Sequence, residues 1–199
     1  MLRYILTALW GSLLFMSAAF ADVTPEKNDD GLYIQDWFLD SFLELNDDLE
    51  EADSEGKRLV IFFEQKGCIY CKKVHTEILS DDKINAYVRD NFTVIQLNLF
   101  GDREVTDFDG DVLSEKQLAR KWGVLFTPTV IAFPEVSSVP DEAPSGDKLA
   151  VAKMPGAFGK GTFLSFFSWV KEKGYDGDLH FQAYVGKKIP ELKEAGLLD

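Results

Sequence analysis

The two cysteines of this chain, Cys68 and Cys71, lie two residues apart in the stretch KGCIYCKK. Two thiols at this spacing can be half of a zinc site, a structural bridge or a reversible dithiol. A structural zinc site needs four ligands, but the chain has no second cysteine pair, and its histidines, His75 and His180, lack ligand spacing. The sequence therefore predicts neither a metal nor another cofactor at this pair.

The short loop between the cysteines favours reversible chemistry over a structural bridge. A bridge of this length would stabilise the fold by only about 2 kcal/mol or less. A helix N-terminus favours a thiolate, and in C-x-x-C motifs the thiol pKa falls from about 8.5 to between about 3.5 and 7.5. We predict that Cys68 is the exposed nucleophile that attacks a substrate disulfide and that the more buried Cys71 resolves the mixed disulfide. An inert structural bridge remains the alternative.

The residues around the pair bear on its redox potential. Ile69 and Tyr70 place no positive charge beside the thiolate, whereas a histidine there would make the pair more oxidising. We therefore expect a reducing or intermediate couple. Lys66, Lys72 and Lys73 flank the motif, and they either lower the pKa of Cys68 or are simply solvated.

A buried strand and a helix must position the cysteines. The run LVIFFEQ, Leu59 to Gln65, is continuously apolar and predicts a strand buried on both faces. The following CIYCKKVHTEIL has helical spacing, which places Cys68, Cys71 and His75 on one face. The motif is therefore predicted at the point where a strand gives way to a helix.

The rest of the chain alternates between helical and strand patterns, which predicts an α/β fold with a partly antiparallel sheet. The first predicted helix covers DWFLDSFLELNDDLEEADSEGKR and has Phe38, Phe42, Leu45 and Leu49 on one face. A second covers DKINAYVRDNF, and a third begins at Ser114, with Gln117 in capping-box spacing. The last predicted helix runs from Thr162 to Lys173. Predicted strands cover Thr93 to Leu99, VLF and VIAF on either side of Thr127-Pro128-Thr129, and LAVAKM.

The Asp-rich run from Asp102 to Asp111 lacks the ligand spacing of a calcium loop, and we expect a solvated insertion beside the site.

The N-terminus has the pattern of a secretory signal peptide. Arg3 precedes an apolar stretch, Tyr4 to Met16, and Ala19-Phe20-Ala21 has the form of a cleavage site. An uncleaved membrane anchor is the alternative. Export would bring the cysteines into an oxidising compartment such as a periplasm, where they form a bridge unless they are reduced.

The net charge of −13 argues against nucleic acid as a partner.

Four stretches of the sequence resemble a known family. FFEQKGCIYCKKVH, NLFGDREVTDFDG, LARKWGVLFTPTVIAF and MPGAFGKGTFLSFFSWV are similar to the exported SoxW-like thioredoxins. The resemblance implies a thioredoxin fold, with a central mixed β-sheet flanked by helices, and makes Cys68 and Cys71 the redox pair. It also implies that Pro128 is a cis-proline facing the disulfide, that Thr127 offers its backbone to an extended substrate, and that Tyr70 contacts the substrate.

The resemblance covers residues 32–174, which it predicts to be a thioredoxin-like domain, and it also implies partners. The sequence pattern itself predicts the signal peptide over residues 1–21, a flexible leader over 22–31 and a C-terminal tail extension over 175–199. The electrons would come from a membrane thiol-electron transporter. The targets would be disulfide-containing exported proteins of sulfur oxidation or cytochrome maturation. We expect a monomer.

The sequence departs from the family pattern close to the cysteines. Gly67 stands where thioredoxins have Trp, and Phe62 stands where the superfamily often has a buried acid that accepts a proton from the resolving cysteine. Glu64 lies on the same side of the strand as Phe62 and is either a proton-transfer group in its place or a surface or hydrogen-bonded acid at the strand end. His75 is expected to be a semi-buried helix residue.

These features predict an exported thiol–disulfide oxidoreductase that mainly reduces disulfides. Two alternatives remain from the sequence. One is a periplasmic disulfide oxidase or isomerase with the same chemistry. The other is a non-catalytic thioredoxin-fold binding module whose bridge is structural.

Overall fold

A computed structural model describes residues 25–199 of the chain. The predicted signal peptide, residues 1–21, and the first three residues of the predicted leader lie outside this range. Among the described residues, no helix has both the length and the apolar character needed to cross a bilayer.

Residues 25–199 form six strands and seven α-helices. The strands are β1 (Arg58–Glu64), β2 (Phe92–Asn98), β3 (Glu104–Thr106), β4 (Val112–Ser114), β5 (Thr129–Ala132) and β6 (Ala152–Pro155). The helices are α1 (Leu45–Ser54), α2 (Ile69–Lys73), α3 (Asp82–Asn91), α4 (Glu115–Lys121), α5 (Gly146–Leu149), α6 (Lys160–Lys171) and α7 (Phe181–Glu194). A π-helical segment, Val74–Ile78, continues α2.

The four-stranded sheet has the order β2-β1-β5-β6. Strand β1 pairs parallel with β2 and antiparallel with β5, which in turn pairs antiparallel with β6. All seven residues of β1 are buried, because helices cover both faces of the sheet. Alternation along β1 places Phe62 in the core beneath α3 and α6, and Phe63 in the core beneath α1 and α4. The predicted mixed sheet flanked by helices is confirmed.

The first helix is shorter than the sequence predicts. It begins at Leu45, although the apolar spacing predicts a helix from residue 36 onward. The Ser41 hydroxyl accepts a hydrogen bond from the Leu43 amide at 2.6 Å, and Leu43 has a φ of +64°. This local turn competes with helix formation, because its side chain takes an amide that a helix would pair with a backbone carbonyl. Phe42, predicted for the buried face, is 97% exposed.

Residues 25–31, expected to form part of a flexible leader, take a defined path against the domain. Lys27 and Tyr33 form an isolated antiparallel bridge. The Asn28 side chain accepts a hydrogen bond from the Leu32 amide, and the Leu32 side chain is buried. One hydrogen bond to the side chain of a loop asparagine therefore holds an apolar anchor in the core, which composition alone does not reveal.

The Asp-rich run is an ordered hairpin, so the prediction of a solvated insertion is wrong at its centre. Strands β3 and β4 pair antiparallel, and the Asp107 side chain between them is fully buried. Its carboxylate accepts hydrogen bonds from Trp122 Nε1 at 3.0 Å and the Ser145 hydroxyl at 2.9 Å, and it forms an ion pair with Lys121 at 2.8 Å. These donors compensate the burial of its charge.

The C-terminal tail contains the longest helix of the described chain, which the sequence reading did not predict. Helix α7 lies against α6, where Phe181 contacts Phe166 and Trp169 edge-on. Leu192 of α7 is buried in the same core. The tail therefore packs on the domain by covering the outer side of α6.

Candidate active site

The cysteines lie at a junction of strand and helix. Strand β1 ends at Glu64, and Gly67 has a φ of +78°, a conformation that glycine adopts without strain. Cys68 then caps helix α2, which begins at Ile69. The turn places Cys68 at the carboxyl end of the central strand and Cys71 one turn into the helix, as the sequence predicts.

Cys68 and Cys71 form a disulfide, with their Cα atoms 5.2 Å apart. The Cys68 side chain is 8% exposed and Cys71 only 1%, so Cys68 is the sulfur nearer to solvent. The backbone N–H of Cys71 donates to the Cys68 sulfur at 2.9 Å. A donor in this position would favour a thiolate on Cys68 when the bridge is open, because it hydrogen-bonds the charged form.

A second loop meets the disulfide from the opposite side. The Thr127 carbonyl oxygen lies 3.5 Å from the Cys68 sulfur. The Thr127–Pro128 peptide bond is cis, which is the geometry that the family resemblance implies. Pro128 accepts a hydrogen bond from the Gly156 amide at 2.7 Å, and β5 begins at Thr129. The loop is thus anchored on both sides where it faces the cysteines.

Exposed apolar side chains surround this contact. The structure forms no strand over residues 124–126, contrary to the sequence prediction, and Leu125 and Phe126 project into solvent, with Phe126 65% exposed. Tyr70 stands between two clefts. One, of about 540 Å³, is lined by Leu125, Phe126 and Thr127, and the other, of about 400 Å³, by Lys73 and Phe158. We call the exposed side chains of Tyr70, Leu125, Phe126 and Phe158 the apolar rim.

The predicted proton-transfer residue, Glu64, is fully buried beneath the helix that carries the cysteines. Its carboxylate oxygens lie 3.2 and 3.1 Å from His75 Nε2, and it accepts a hydrogen bond from Gln96 Nε2 at 2.6 Å. His75 lies one helical turn beyond Cys71 and is also buried, more deeply than the sequence prediction of a semi-buried residue. Glu64 is therefore a hydrogen-bonded acid at a strand end, inside the core rather than at the surface.

Two groups around Glu64 were missed from the sequence. Gln96 is a polar residue inside the apolar strand run TVIQLNL, and that exception was a usable signal. Gln35 lies 3.1 Å from His75 Nδ1, and it comes from the residues just before the first predicted helix. No sequence pattern connects these residues, because they come from separate elements.

The charges beside the site are positive, although the chain as a whole is acidic. Lys66, Lys72 and Lys73 are exposed, and none of them forms an ion pair within residues 25–199. In the same part of the chain, no group of three or more His, Cys, Asp or Glu side chains is arranged to hold a metal ion.

Comparison with known proteins agrees with this architecture. A family model described as a thioredoxin-like domain matches residues 45–139. A thioredoxin-fold protein from Helicobacter pylori is 19% identical, with a TM-score of 0.49, over 74% of this chain and 92% of that one. A thioredoxin from Thermus thermophilus is 22% identical, with a TM-score of 0.48, over 66% of this chain and 86% of that one. No curated protein matches the chain. The chain therefore has a thioredoxin fold, with a thioredoxin-like domain over residues 45–139.

Proposed function

We propose that this protein is an exported thiol–disulfide oxidoreductase that mainly reduces disulfide bonds in other exported proteins. The observation that carries the proposal is the placement of Cys68. Its sulfur is bonded to Cys71, accepts a hydrogen bond from the Cys71 amide and lies 3.5 Å from the Thr127 carbonyl oxygen, and Cys68 is less buried than Cys71. A purely structural bridge has no need of such a loop beside its less buried cysteine.

The reaction begins with the reduced pair. The Cys68 thiolate attacks a substrate disulfide, forms a mixed disulfide and releases one substrate thiolate, which takes a proton from water. Cys71 then loses its proton, attacks the Cys68 sulfur and releases the second substrate thiol. Two electrons pass to the substrate, and the protein is left with the Cys68–Cys71 bridge described above.

The apolar rim and the Thr127 loop are the proposed substrate-binding surface. The two clefts on either side of Tyr70 can accept the side chains that flank a substrate cysteine. Thr127 and Pro128 would support an extended substrate main chain next to the Cys68 sulfur. Exposed aromatic side chains of this kind are typical of interaction surfaces.

The reducing direction rests on the residues between the cysteines. Ile69 and Tyr70 are both exposed and bring no cation to the thiolate, which leaves the Cys71 amide as the hydrogen-bond donor seen at its sulfur. A weakly stabilised thiolate makes the reduced pair a better electron donor. In a periplasm, such a pair needs a membrane thiol-electron transporter to keep it reduced. The resemblance to SoxW-like thioredoxins and the N-terminal signal pattern support export.

Insulin reduction with a dithiol donor tests the proposal. The parent protein should catalyse the reduction, and Cys68→Ser should abolish it. A parent protein without activity would favour the non-catalytic binding module.

Equilibration with glutathione then separates a reductase from an oxidase or isomerase. We expect a reduction potential nearer to about −270 mV than to about −120 mV. A value at the oxidising end would assign the protein to disulfide formation instead. Cleavage at residue 21 is checked separately, by N-terminal sequencing of the protein secreted from a bacterial host.

A further inference from the structure

The two clefts beside Tyr70 differ in charge, although they share that side chain. The larger one, of about 540 Å³, lies next to the Thr127 loop, and among its lining residues only Tyr70 has an ionisable group. Its apolar surface comes largely from the exposed side chains of Leu125 and Phe126. We call it the uncharged cleft. A hydrophobic side chain can be buried there without the desolvation of a charged group.

The smaller cleft, of about 400 Å³, contains several ionisable side chains. We call it the charged cleft, and its lining includes Lys73, Glu77 and Lys160 as well as Tyr70 and Phe158. Tyr70 and Lys73 are three residues apart in α2, so their side chains lie on the same face of that helix. The helix that carries the cysteines therefore also provides one wall of the charged cleft.

The ionisable groups of the charged cleft are not equivalent. Lys160 forms an ion pair with Asp81 at 2.6 Å, so its charge already has a partner. Lys73 and Glu77 are both exposed but form no ion pair with each other, and Lys73 has no other acidic partner among residues 25–199. A lysine that precedes a glutamate by four residues is the less favourable order for pairing on a helix. Lys73 is thus the cation of this cleft that is left for a ligand.

Lys66 and Lys72 extend the positive charge on either side of the cysteine pair. Both are exposed, and neither forms an ion pair within the described chain. The whole chain has a formal net charge of −13, so its overall field repels an anion. The lysines therefore give the face around the cysteines a preference opposite to that of the rest of the surface.

We propose that the charged cleft is a subsite for an acidic side chain of the substrate, and that the uncharged cleft takes an apolar side chain on the other side of the substrate cysteine. The preferred substrate is then a polypeptide whose cysteine has an apolar neighbour in one direction and a glutamate or aspartate in the other. Lys73 determines the preference for the acid. The inference rests on the proposed function and adds to it a sequence preference of the substrate.

The position of Tyr70 makes this preference directional. Its side chain borders both clefts, so the substrate residues before and after the reacting cysteine meet different surroundings. The reverse order would place the acid next to Leu125 and Phe126, where it loses water without gaining a cation. An acid is therefore favourable on one side of the substrate cysteine and not on the other.

Four peptides test the preference and its direction. Each has one cysteine joined to a chromogenic aryl thiol in a mixed disulfide, with leucine on one side and either glutamate or glutamine on the other, in both orders. Excess reduced protein attacks the peptide sulfur, and the aryl thiolate leaves because its thiol has the lower pKa. In one order, we expect glutamate to speed this release about threefold over glutamine, and in the other order to give no gain. At about 1 M salt the gain should largely disappear.

Variants of the charged cleft should change the gain from glutamate in opposite directions. Lys73→Gln should remove it, because the cation is lost. Glu77→Gln should increase it, because Glu77 repels the substrate acid in the same cleft. Lys187→Gln is the matched control, since Lys187 is an exposed lysine of α7 without an ion pair in the described chain, and it should leave the gain unchanged.

The possible results separate this inference from the proposed function. If no peptide reacts faster with the protein than with a free monothiol, the proposed function fails and the inference fails with it. If all four peptides react equally fast and faster than with the monothiol, the proposed function stands and the acidic subsite is overturned. Slower release with glutamate in both orders, as the net charge alone would give, has the same meaning. A gain that survives Lys73→Gln would overturn the role of Lys73.

Discussion

The sulfur of Cys68 and the carbonyl oxygen of Thr127 lie 3.5 Å apart, although 59 residues separate them in the chain. The contact joins the turn after β1 to the turn before β5, two strands that pair antiparallel. It places a backbone group of the Thr127 loop next to the more exposed sulfur. A substrate main chain that runs along this loop would have its cysteine beside Cys68.

The apolar rim should matter for protein substrates and not for small ones. We expect Phe126→Ala to lower kcat/KM for insulin by about tenfold, because truncation of a central aromatic contact costs on the order of 1–2 kcal/mol. Reduction of a small aliphatic disulfide should change less than about twofold. Phe42→Ala is the matched control, since Phe42 is at least as exposed and lies outside both clefts. Equal losses for both substrates would contradict the assignment of the rim.

Asp48 should make the fold less stable as the pH rises. Burial raises the pKa of Asp48 to about 6, with a smaller opposing effect from the Ser41 hydroxyl. The folded state therefore holds this proton more tightly than the unfolded state. The stabilisation of the fold by the protonated carboxyl is present at about pH 4 and is lost as the pH rises toward 6. After allowance for screening by water, we expect a change of about 1 to 2 kcal/mol.

Urea unfolding at two pH values measures this effect as a difference between variants. Asp48→Asn should be more stable than the parent by about 1 to 2 kcal/mol near pH 7 and equal to it near pH 4. Asp47→Asn, at the exposed neighbouring acid, controls for the change in net charge. If both variants respond to pH alike, burial at Asp48 is not the cause.

Asp107 should be essential for stability. Replacement by Ala leaves the Trp122 and Ser145 donors and the Lys121 charge without their buried partner, and we expect a loss of about 3–5 kcal/mol. Asp109→Ala, which removes another partner of Lys121 at the surface, should cost less than about 1 kcal/mol. Denaturant unfolding of the two variants gives the comparison, and similar losses would show that the burial of Asp107 does not decide its contribution.

The C-terminal helix should stabilise the domain without taking part in the chemistry. Leu192→Ala should lower the free energy of unfolding by about 2–4 kcal/mol, because Leu192 is buried against the core under α6. Insulin reduction by the folded variant should be unchanged. An exposed neighbour, Lys193→Ala, should have an effect within about 0.5 kcal/mol. A loss of activity at intact stability would give α7 a functional role instead.

The features that could be predicted depend on signals close together in the chain. Strand β1 is a continuous apolar run, and the capping box of Ser114 and Gln117 is present as predicted. The cysteine pair at the strand-to-helix junction follows from the same local patterns. In each case a few adjacent residues determine the structure.

The features that could not be predicted depend on partners from distant elements. Asp107 looks like a loop acid until Trp122 and Ser145 surround it, and Glu64 looks like a surface acid until His75 and Gln96 meet it. The first helix begins later than its apolar spacing predicts, because the Leu43 amide donates a hydrogen bond to the Ser41 hydroxyl instead of to a helical carbonyl. Sequence periodicity carries no information on such pairings.

The most direct measurement for the proposed function is the site of the trapped substrate. Reduced Cys71→Ser is mixed with insulin, and the covalent adduct is located by mass spectrometry after proteolysis without reductant. The proposed reaction predicts a stable mixed disulfide on Cys68, and none with Cys68→Ser under the same conditions. No adduct in Cys71→Ser, or a preferential adduct on Cys71 in Cys68→Ser, would contradict the assignment of Cys68 as the nucleophile.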